Sequence, residues 1–425
     1  MTTNIPRLLT EATEKKLFEE TLLPYFLRGE SVTAMWVRHA GRRRQCRYLA
    51  QFSEQFGFNS LGKYKIICIP HGDLIEVTPQ GFFQLMLSCL DPLLNCQASE
   101  DPFSTIKSEL KKYLEKGCQL IFILERFDEL VGDANYPQSF FDNLHSLWQI
   151  DKVKIHFIFS TSTNIFKGES FHKLNHLKEV VSQNIVYFPL LEDKDNDICI
   201  QTLIKKYDYK VSPKQISLIK KIAGGHASLN RAALRILQSY FSTNEEKVID
   251  YLLDQYEIKI ILEDIWNSFD DEEKKVLTLI AQGNTFRQGK IPERLSKLKI
   301  VTNTGRNSYQ LFSPIFQSFI ASLNNTVSEV GLDSRTGEIL INGLPAKEKI
   351  SLQEYHLLNA FLKKKDSVVS RDQIAQALWG KDFEEKYSDW AIDQVISQLR
   401  IKLERLGITS SKLQTIRNRG YRWIE

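Results

Sequence analysis

The chain has 425 residues, 42% of them hydrophobic and 25% charged, with a net charge of +4. That length exceeds what one hydrophobic core supports, so two to four domains are expected, and the composition excludes a largely disordered chain. No apolar run nears the 18 or so residues that span a bilayer, and the acid-containing N-terminus lacks an apolar signal segment, which points to a cytoplasmic protein without a membrane partner.

In chain order, an amphipathic helix over 11–26 precedes residues 31–37, which read as a buried strand, then a basic turn and a helix over 43–56. The alternation continues with a strand over 65–70, helices over 79–94 and 105–116, a strand over 119–124, a helix over 139–149 and a strand over 154–160. Strands alternating with helices predict a parallel sheet covered on both faces. From about residue 193 strand signals fade, and helices are expected over 198–207, 213–223, 229–241 and 245–261. Helices over 271–281 and 291–297, followed by a hairpin within 300–311, suggest a first winged helix, which reads as a packing module because Arg306 is the only basic residue at its turn. The six cysteines show no CxxC spacing and read as reduced structural thiols. No metal-ligand grouping or hydrolase motif is present.

Beyond the polar break at 324–326, residues 331–343 read as a hairpin and three helices follow. The first covers 352–363. The second opens at Ser370 with Gln373 three residues on, the pattern of a capping box. The third opens near Ser388 and buries Ile392, Ile396, Leu399, Leu403 and Leu406 at spacings of three and four. Its opposite face carries Asp389, Asp393, Gln394, Ser397, Gln398, Arg400, Ile401 and Glu404. Glutamine amides match adenine edges, serine bonds bases or phosphate, and Arg400 and Lys402 can neutralise phosphate. A final pair of strands carries Arg417, Arg419 and Arg422 near Gly420, a basic wing suited to a minor groove or phosphates. Lys and Arg barely exceed Asp and Glu from Ser328 onward, so DNA binding is argued from placement and not from bulk charge.

The ordered motifs Leu352-Gln-Glu-Tyr-His-Leu-Leu358, Val369-Ser-Arg-Asp-Gln-Ile374, Leu378-Trp-Gly380, Ile396-Ser-Gln-Leu-Arg-Ile-Lys-Leu403 and Thr415-Ile-Arg-Asn-Arg-Gly-Tyr-Arg422 resemble the OmpR/PhoB-type effector domain of response regulators. The resemblance implies an N-terminal four-stranded sheet, a recognition helix over about 388–406 and minor-groove insertion by Arg417. It also implies an RNA polymerase contact over about 381–387 and binding to double-stranded DNA as a homodimer on repeated half-sites. Gln394, Val395, Ser397 and Gln398 replace basic residues common on that helix, and Trp390 stands where an arginine is often found.

The order of features over 31–323 resembles a STAND-type or Orc/Cdc6-like AAA+ ATPase module with a helical lid and a winged helix. It rests on Ile121-Phe-Ile-Leu-Glu-Arg-Phe-Asp-Glu-Leu130, Ser160-Thr-Ser-Thr-Asn164, Gly224-Gly-His-Ala-Ser-Leu-Asn-Arg231 and Ser308-Tyr-Gln-Leu-Phe-Ser-Pro-Ile-Phe316. A phosphate loop needs glycines, a Lys for the phosphates and a hydroxyl for magnesium. Val37-Arg-His-Ala-Gly-Arg-Arg-Arg-Gln-Cys-Arg47 has one glycine, Gly41, and neither Lys nor hydroxyl. Glu125 and Arg126 stand where the metal-binding Asp and catalytic Glu are expected, and Asp128 and Glu129 are no obvious substitute. Arg42, Arg43 and Arg44 at a helix N-terminus can still hold an anion or serve as a basic turn. Asp73 reads as a loop residue and His226 as a structural residue, not a nucleotide sensor. The resulting expectation is a multidomain α/β and α+β chain: a helical segment 1–28, a degenerate AAA+/STAND-like fold 29–192, a helical lid 193–260, a first winged helix 261–324 and an OmpR-type winged helix 327–425. It would be a DNA-binding transcriptional regulator without ATPase activity and without an expected cofactor, ATP or ADP binding being left open. An active STAND switch and a protein-interaction scaffold are the alternatives.

Overall fold

In the computed structural model the described residues are 9–91, 101–240, 242, 244–283, 291–305, 308–325, 330–333, 336, 338–341, 344–345, 350–380, 388–406, 408, 412–416 and 419–424. The chain divides into two compact units, Met1–Phe319 and Ile320–Glu425.

The first unit opens with helix α1 (Glu11–Glu14), which runs through a π-helical stretch (Lys15–Leu22) into α2 (Leu23–Leu27). Its centre is a five-stranded parallel sheet of β1 (Val32–Trp36), β2 (Tyr64–Ile69), β3 (Gln119–Leu124), β4 (Ile155–Thr161) and β5 (Ile185–Phe188) in the order β2-β3-β4-β1-β5. β1 and β4 are buried along their whole length, which explains their near-continuous apolar sequences. Helices α3 (Arg42–Phe52), α4 (Pro79–Leu90), α5 (Pro102–Glu115), α6 (Phe127–Gly132), α7 (Gln138–Trp148), α8 (Gly168–Lys173) and α9 (Lys178–Val181) surround it. Phe82, Phe83, Phe122, Phe140, Phe141 and Phe157 fill one core. The expected parallel α/β architecture is present, with one strand more than the sequence pattern marked. β5 escaped because it is a four-residue edge strand with only Val186 and Phe188 buried.

Helices α10 (Asp193–Tyr207), α11 (Pro213–Ala223), α12 (Ala227–Ile236), α13 (Glu245–Leu253) and α14 (Tyr256–Asn267) follow. The single helix expected over 245–261 is broken at Asp254 and Gln255, where no Gly or Pro marks the change. Helices α15 (Asp271–Ala281) and α16 (Glu293–Lys297), the hairpin β6 (Val301–Gly305) and β7 (Ser308–Leu311), and α17 (Pro314–Asn325) form the winged arrangement. It is locked to the sheet by Arg294, which is buried, lies 2.6 Å from Glu273 and donates to the carbonyls of Ser268 and Ser162. α17 includes Asn324 and Asn325 of the polar residues read as an interdomain break, and the division by contacts falls inside it.

The second unit begins with β8 (Val330–Leu332), β9 (Ile339–Ile341) and β10 (Leu344–Pro345) in one antiparallel sheet. Three strands, not the four implied by the resemblance, occur among the described residues. Helix α18 (Leu352–Leu362), strand β11 (Val368–Val369), helix α19 (Arg371–Trp379), helix α20 (Asp389–Arg405) and strands β12 (Leu413–Ile416) and β13 (Gly420–Trp423) complete it. Ser351 with Glu354 and Ser370 with Gln373 form reciprocal capping boxes that start α18 and α19. Ile392, Ile396, Leu399 and Leu403 of α20 pack with Leu357, Phe361, Ile374 and Trp423.

Candidate DNA interface and the loop after the first strand

Burying the 392/396/399/403 stripe turns the opposite side of α20 outward, and Gln394, Ser397, Gln398 and Ile401 are exposed there. Trp390, at 72% exposure, extends the same stripe by one turn. The cations expected beside them go elsewhere. Arg400 donates to the Leu413 carbonyl (2.6 Å) and Thr415 Oγ1 (2.9 Å), which ties α20 to β12. Lys402 reaches across to the buried Glu354, 2.6 Å away. Burial alone would raise the Glu354 pKa, yet the Lys402 ammonium and the Ser351 amide hold it below the usual range. Arg422 donates to Gln414 on the neighbouring strand (3.1 Å). Arg419 is exposed in the turn before β13, while Arg417 and the segment 381–387 lie outside the described residues. Gln394, Ser397 and Gln398 therefore share one outward stripe, and Arg400, Lys402 and Arg422 are held within the unit.

Asp389 and Asp393, which shared the outward face in the sequence reading, both pair with Arg371, whose single positive charge offsets one of their two negative charges. Its two terminal nitrogens each lie 2.9 Å from one of these carboxylates. Tyr421 OH also donates to Asp393, and burial together with that carboxylate pushes the phenol up to about 12, so it stays a donor. Arg371 is the member of this face that sequence reasoning missed. The available signal was a pair of aspartates one helical turn apart, which need a cation if a polyanion is to approach.

In the first unit, Gly41 takes the left-handed conformation (φ 98°) that turns β1 into α3. The arginines around it meet the chain's own carboxylates. Arg42 Nη1 lies 3.0 Å from Asp128 Oδ1, and Asp128 Oδ2 accepts from the amide (3.0 Å) and hydroxyl (2.8 Å) of Ser162. Arg38 lies 3.8 Å from Asp128 and 3.1 Å from Glu129. Burial would raise the Asp128 pKa, but Arg42 and the Ser162 bonds outweigh it and hold the carboxyl low. Arg43 (2.8 Å) and Arg47 (3.4 Å) reach Asp73, and both stand within 4.0 Å of Glu125. Glu125 is buried and its pKa is raised by that burial, with Cys68 donating to it at 3.4 Å. Arg126, left-handed at φ 54°, pairs with Glu129 at 3.2 Å. Arg44 is half-buried towards Cys199 and Tyr207 of α10, and burial lowers its pKa.

The anion met by Arg42 and Arg43 comes from the chain itself, because Asp128 and Asp73 fold back onto them. Asp128, read as no obvious substitute for the catalytic acid, is turned inward to 7% exposure because α6 starts immediately after Arg126. Asp73 ends up opposite α3 because it follows β2, the strand on which α3 packs.

His226 caps α12. Its Nδ1 accepts from the Leu229 amide (3.2 Å) and its Nε2 donates to the Arg38 carbonyl (2.7 Å), the neutral tautomer. Full burial lowers its pKa to about 4. Gly224 and Gly225 bring this turn against neighbouring backbone: a Cβ on Gly224 would sit 1.8 Å from the Phe312 carbonyl oxygen, and one on Gly225 would sit 2.1 Å from that of Leu191. Both adopt positive φ.

Residues 347–423 match the family described as "Transcriptional regulatory protein, C terminal". The winged-helix expectation for the C-terminal segment is met by this match. A 73-residue stretch is 36% identical to the uncharacterized transcriptional regulatory protein YvcP of Bacillus subtilis, covering 17% of this chain and 30% of that protein. The chain thus spans about a third of the length of that curated relative. Among solved structures, the DNA-binding domain of the response regulator AdeR in complex with an intercistronic region overlays with a TM-score of 0.20 at 24% identity, over 23% of this chain and 94% of that one. The ORC2 protein of Aeropyrum pernix overlays with a TM-score of 0.43 at 12% identity, over 76% of this chain and 96% of that one. No helix among the described residues is long and apolar enough to cross a membrane.

Proposed function

We propose that the protein is a transcriptional regulator in which α20 and the β12–β13 wing bind duplex DNA and the unit up to Phe319 is a controller that hydrolyses no ATP. The observation that carries the reading is the family match over 347–423, joined to an exposed Gln394/Ser397/Gln398 stripe whose neighbouring acids Asp389 and Asp393 are both paired with Arg371. Among the described residues at the start of that helix, Arg371 offsets one of the two carboxylate charges that a polyanion would meet. Cytoplasmic work on DNA as a homodimer, with RNA polymerase as a further contact, completes the reading.

The silence of the ATPase-like unit is supported by its donor set. A magnesium-bound triphosphate needs free cations for phosphate and a hydroxyl or ionised acid for the metal. Arg42 and Arg43 face Asp128 and Asp73, the loop has no hydroxyl side chain after Gly41, and Glu125 is buried with Arg43 and Arg47 within 4.0 Å of it. The residues do not suit that group.

Retention of duplexes by the full chain tests the proposal. A bound duplex should release as salt rises, and Arg419→Ala should shallow the slope of log affinity against log salt by about one. Calorimetric titration with ATP and ADP should give no binding heat. Failure to retain any duplex at low salt refutes the regulator reading, and nucleotide turnover refutes the silent controller.

A further inference from the structure

Trp390, Gln394, Ser397, Gln398 and Ile401 lie on one face of α20 at successive spacings of four, three, one and three residues, all are exposed, and none is charged. The basic side chains between Ser397 and Leu403, Arg400 and Lys402, are bound to Leu413, Thr415 and Glu354. A guanine presents two acceptors to the major groove and is met by the fork of an Arg or the ammonium of a Lys. Between Trp390 and Ile401 this stripe presents neither; the cation one turn further on, Arg405, is exposed at the last residue of the helix. The stripe presents two primary amides, each a donor beside an acceptor, which is the complement of adenine N7 and N6–H₂. It also presents Ile401, 48% exposed although aliphatic, whose complement in the groove is the thymine methyl.

We propose that α20 reads an A·T-rich half-site, Gln394 and Gln398 each pairing with an adenine edge and Ile401 packing on a thymine methyl. The inference rests on the duplex-binding role of this unit and goes beyond it by naming the bases. Geometry supports the assignment. Four residues advance about 6 Å along a helix, so Gln394 and Gln398 reach base pairs within about two steps of each other. From Gln394 to Ile401 the helix advances about 10 Å, or roughly three base steps. Asp389 and Asp393 do not compete for cytosine amino groups, because Arg371 and Tyr421 hold them.

The test starts with selection of bound duplexes from a random pool by the full chain, followed by competition with modified versions of the winner. The selected half-site should be dominated by A·T pairs. Replacing thymine by deoxyuridine should weaken binding by the equivalent of one methyl group, about fourfold, and Ile401→Ala should be insensitive to that change. Replacing adenine by 7-deazaadenine, which lacks the N7 acceptor, should weaken binding on the order of tenfold, and Gln398→Ala or Gln394→Ala should each erase the loss at one position. All three side chains are exposed, so these variants should keep the fold. A selected site dominated by G·C pairs, or a bound duplex indifferent to both modifications, overturns the base assignment and leaves duplex binding standing. A chain that retains no duplex at low salt overturns the duplex-binding role itself.

Discussion

Asp128 offers the sharpest test of the first unit, because its carboxylate is almost fully enclosed and serves Arg42, Arg38 and Ser162 together. Asp128→Ala leaves the Arg42 guanidinium, whose side chain is 11% exposed, without its nearest anion, and leaves the Ser162 amide without an acceptor. Removing one partner of a buried ion pair costs about 3–5 kcal/mol. Against a total stability of about 5–15 kcal/mol, that is a large share. Asp128→Asn retains an acceptor for Ser162 but drops the charge, so a smaller loss of about 2 kcal/mol is expected. The double variant Arg42→Met/Asp128→Leu should recover part of the loss, since no unpaired charge stays buried. The assay is urea denaturation followed by tryptophan emission, to which Trp36 contributes from β1, stacked on Phe188 at 4.1 Å between ring centroids. The Asp128 pKa is lowered in the fold, so its contribution is present above the unfolded value of about 3.9 and lost as pH falls below it. If Asp128→Ala shifted stability by less than about 0.5 kcal/mol, the network would be a surface decoration and the argument for a self-neutralised loop would fall.

Three further outcomes are expected. His226 has its pKa lowered from about 6.5 to about 4, so its contribution of about 3 kcal/mol is whole above pH 6.5 and fades as pH drops towards 4. His226→Asn, which keeps a capping oxygen, should flatten the fall in stability over that window; equal slopes in the two proteins would count against the neutral-tautomer assignment. Gly225→Ala should cost at least about 2 kcal/mol in thermal unfolding, from the clash with Leu191 and the left-handed backbone. Gly283→Ala, at φ +72° with nothing within 4 Å among the described residues, should cost about 1 kcal/mol. Lys402→Met strands the buried Glu354 and should destabilise the second unit by about 2 kcal/mol, whereas Gln398→Ala should stay within about 0.5 kcal/mol and act only on DNA. Comparing their melting curves separates the side of α20 that holds the fold from the side that faces outward.

What the sequence determined by itself was local. The capping boxes at Ser351 and Ser370, the buried face of α20 and the long apolar strands β3 and β4 were legible because each signal is complete within a few residues. The outward position of Gln394, Ser397 and Gln398 followed from the same periodicity. Tertiary structure decided which charges are spoken for. Arg42 and Asp128 are 86 residues apart, Lys402 and Glu354 are 48 apart, and Arg371 meets Asp393 across 22. A lysine or arginine has the same letter whether it faces solvent, a phosphate or a buried carboxylate, and only chain folding brings the partner into range. For that reason the basic loop read as an anion holder or a basic turn becomes a set of internal ion pairs, and two residues read as phosphate contacts become fastenings of the DNA-binding unit.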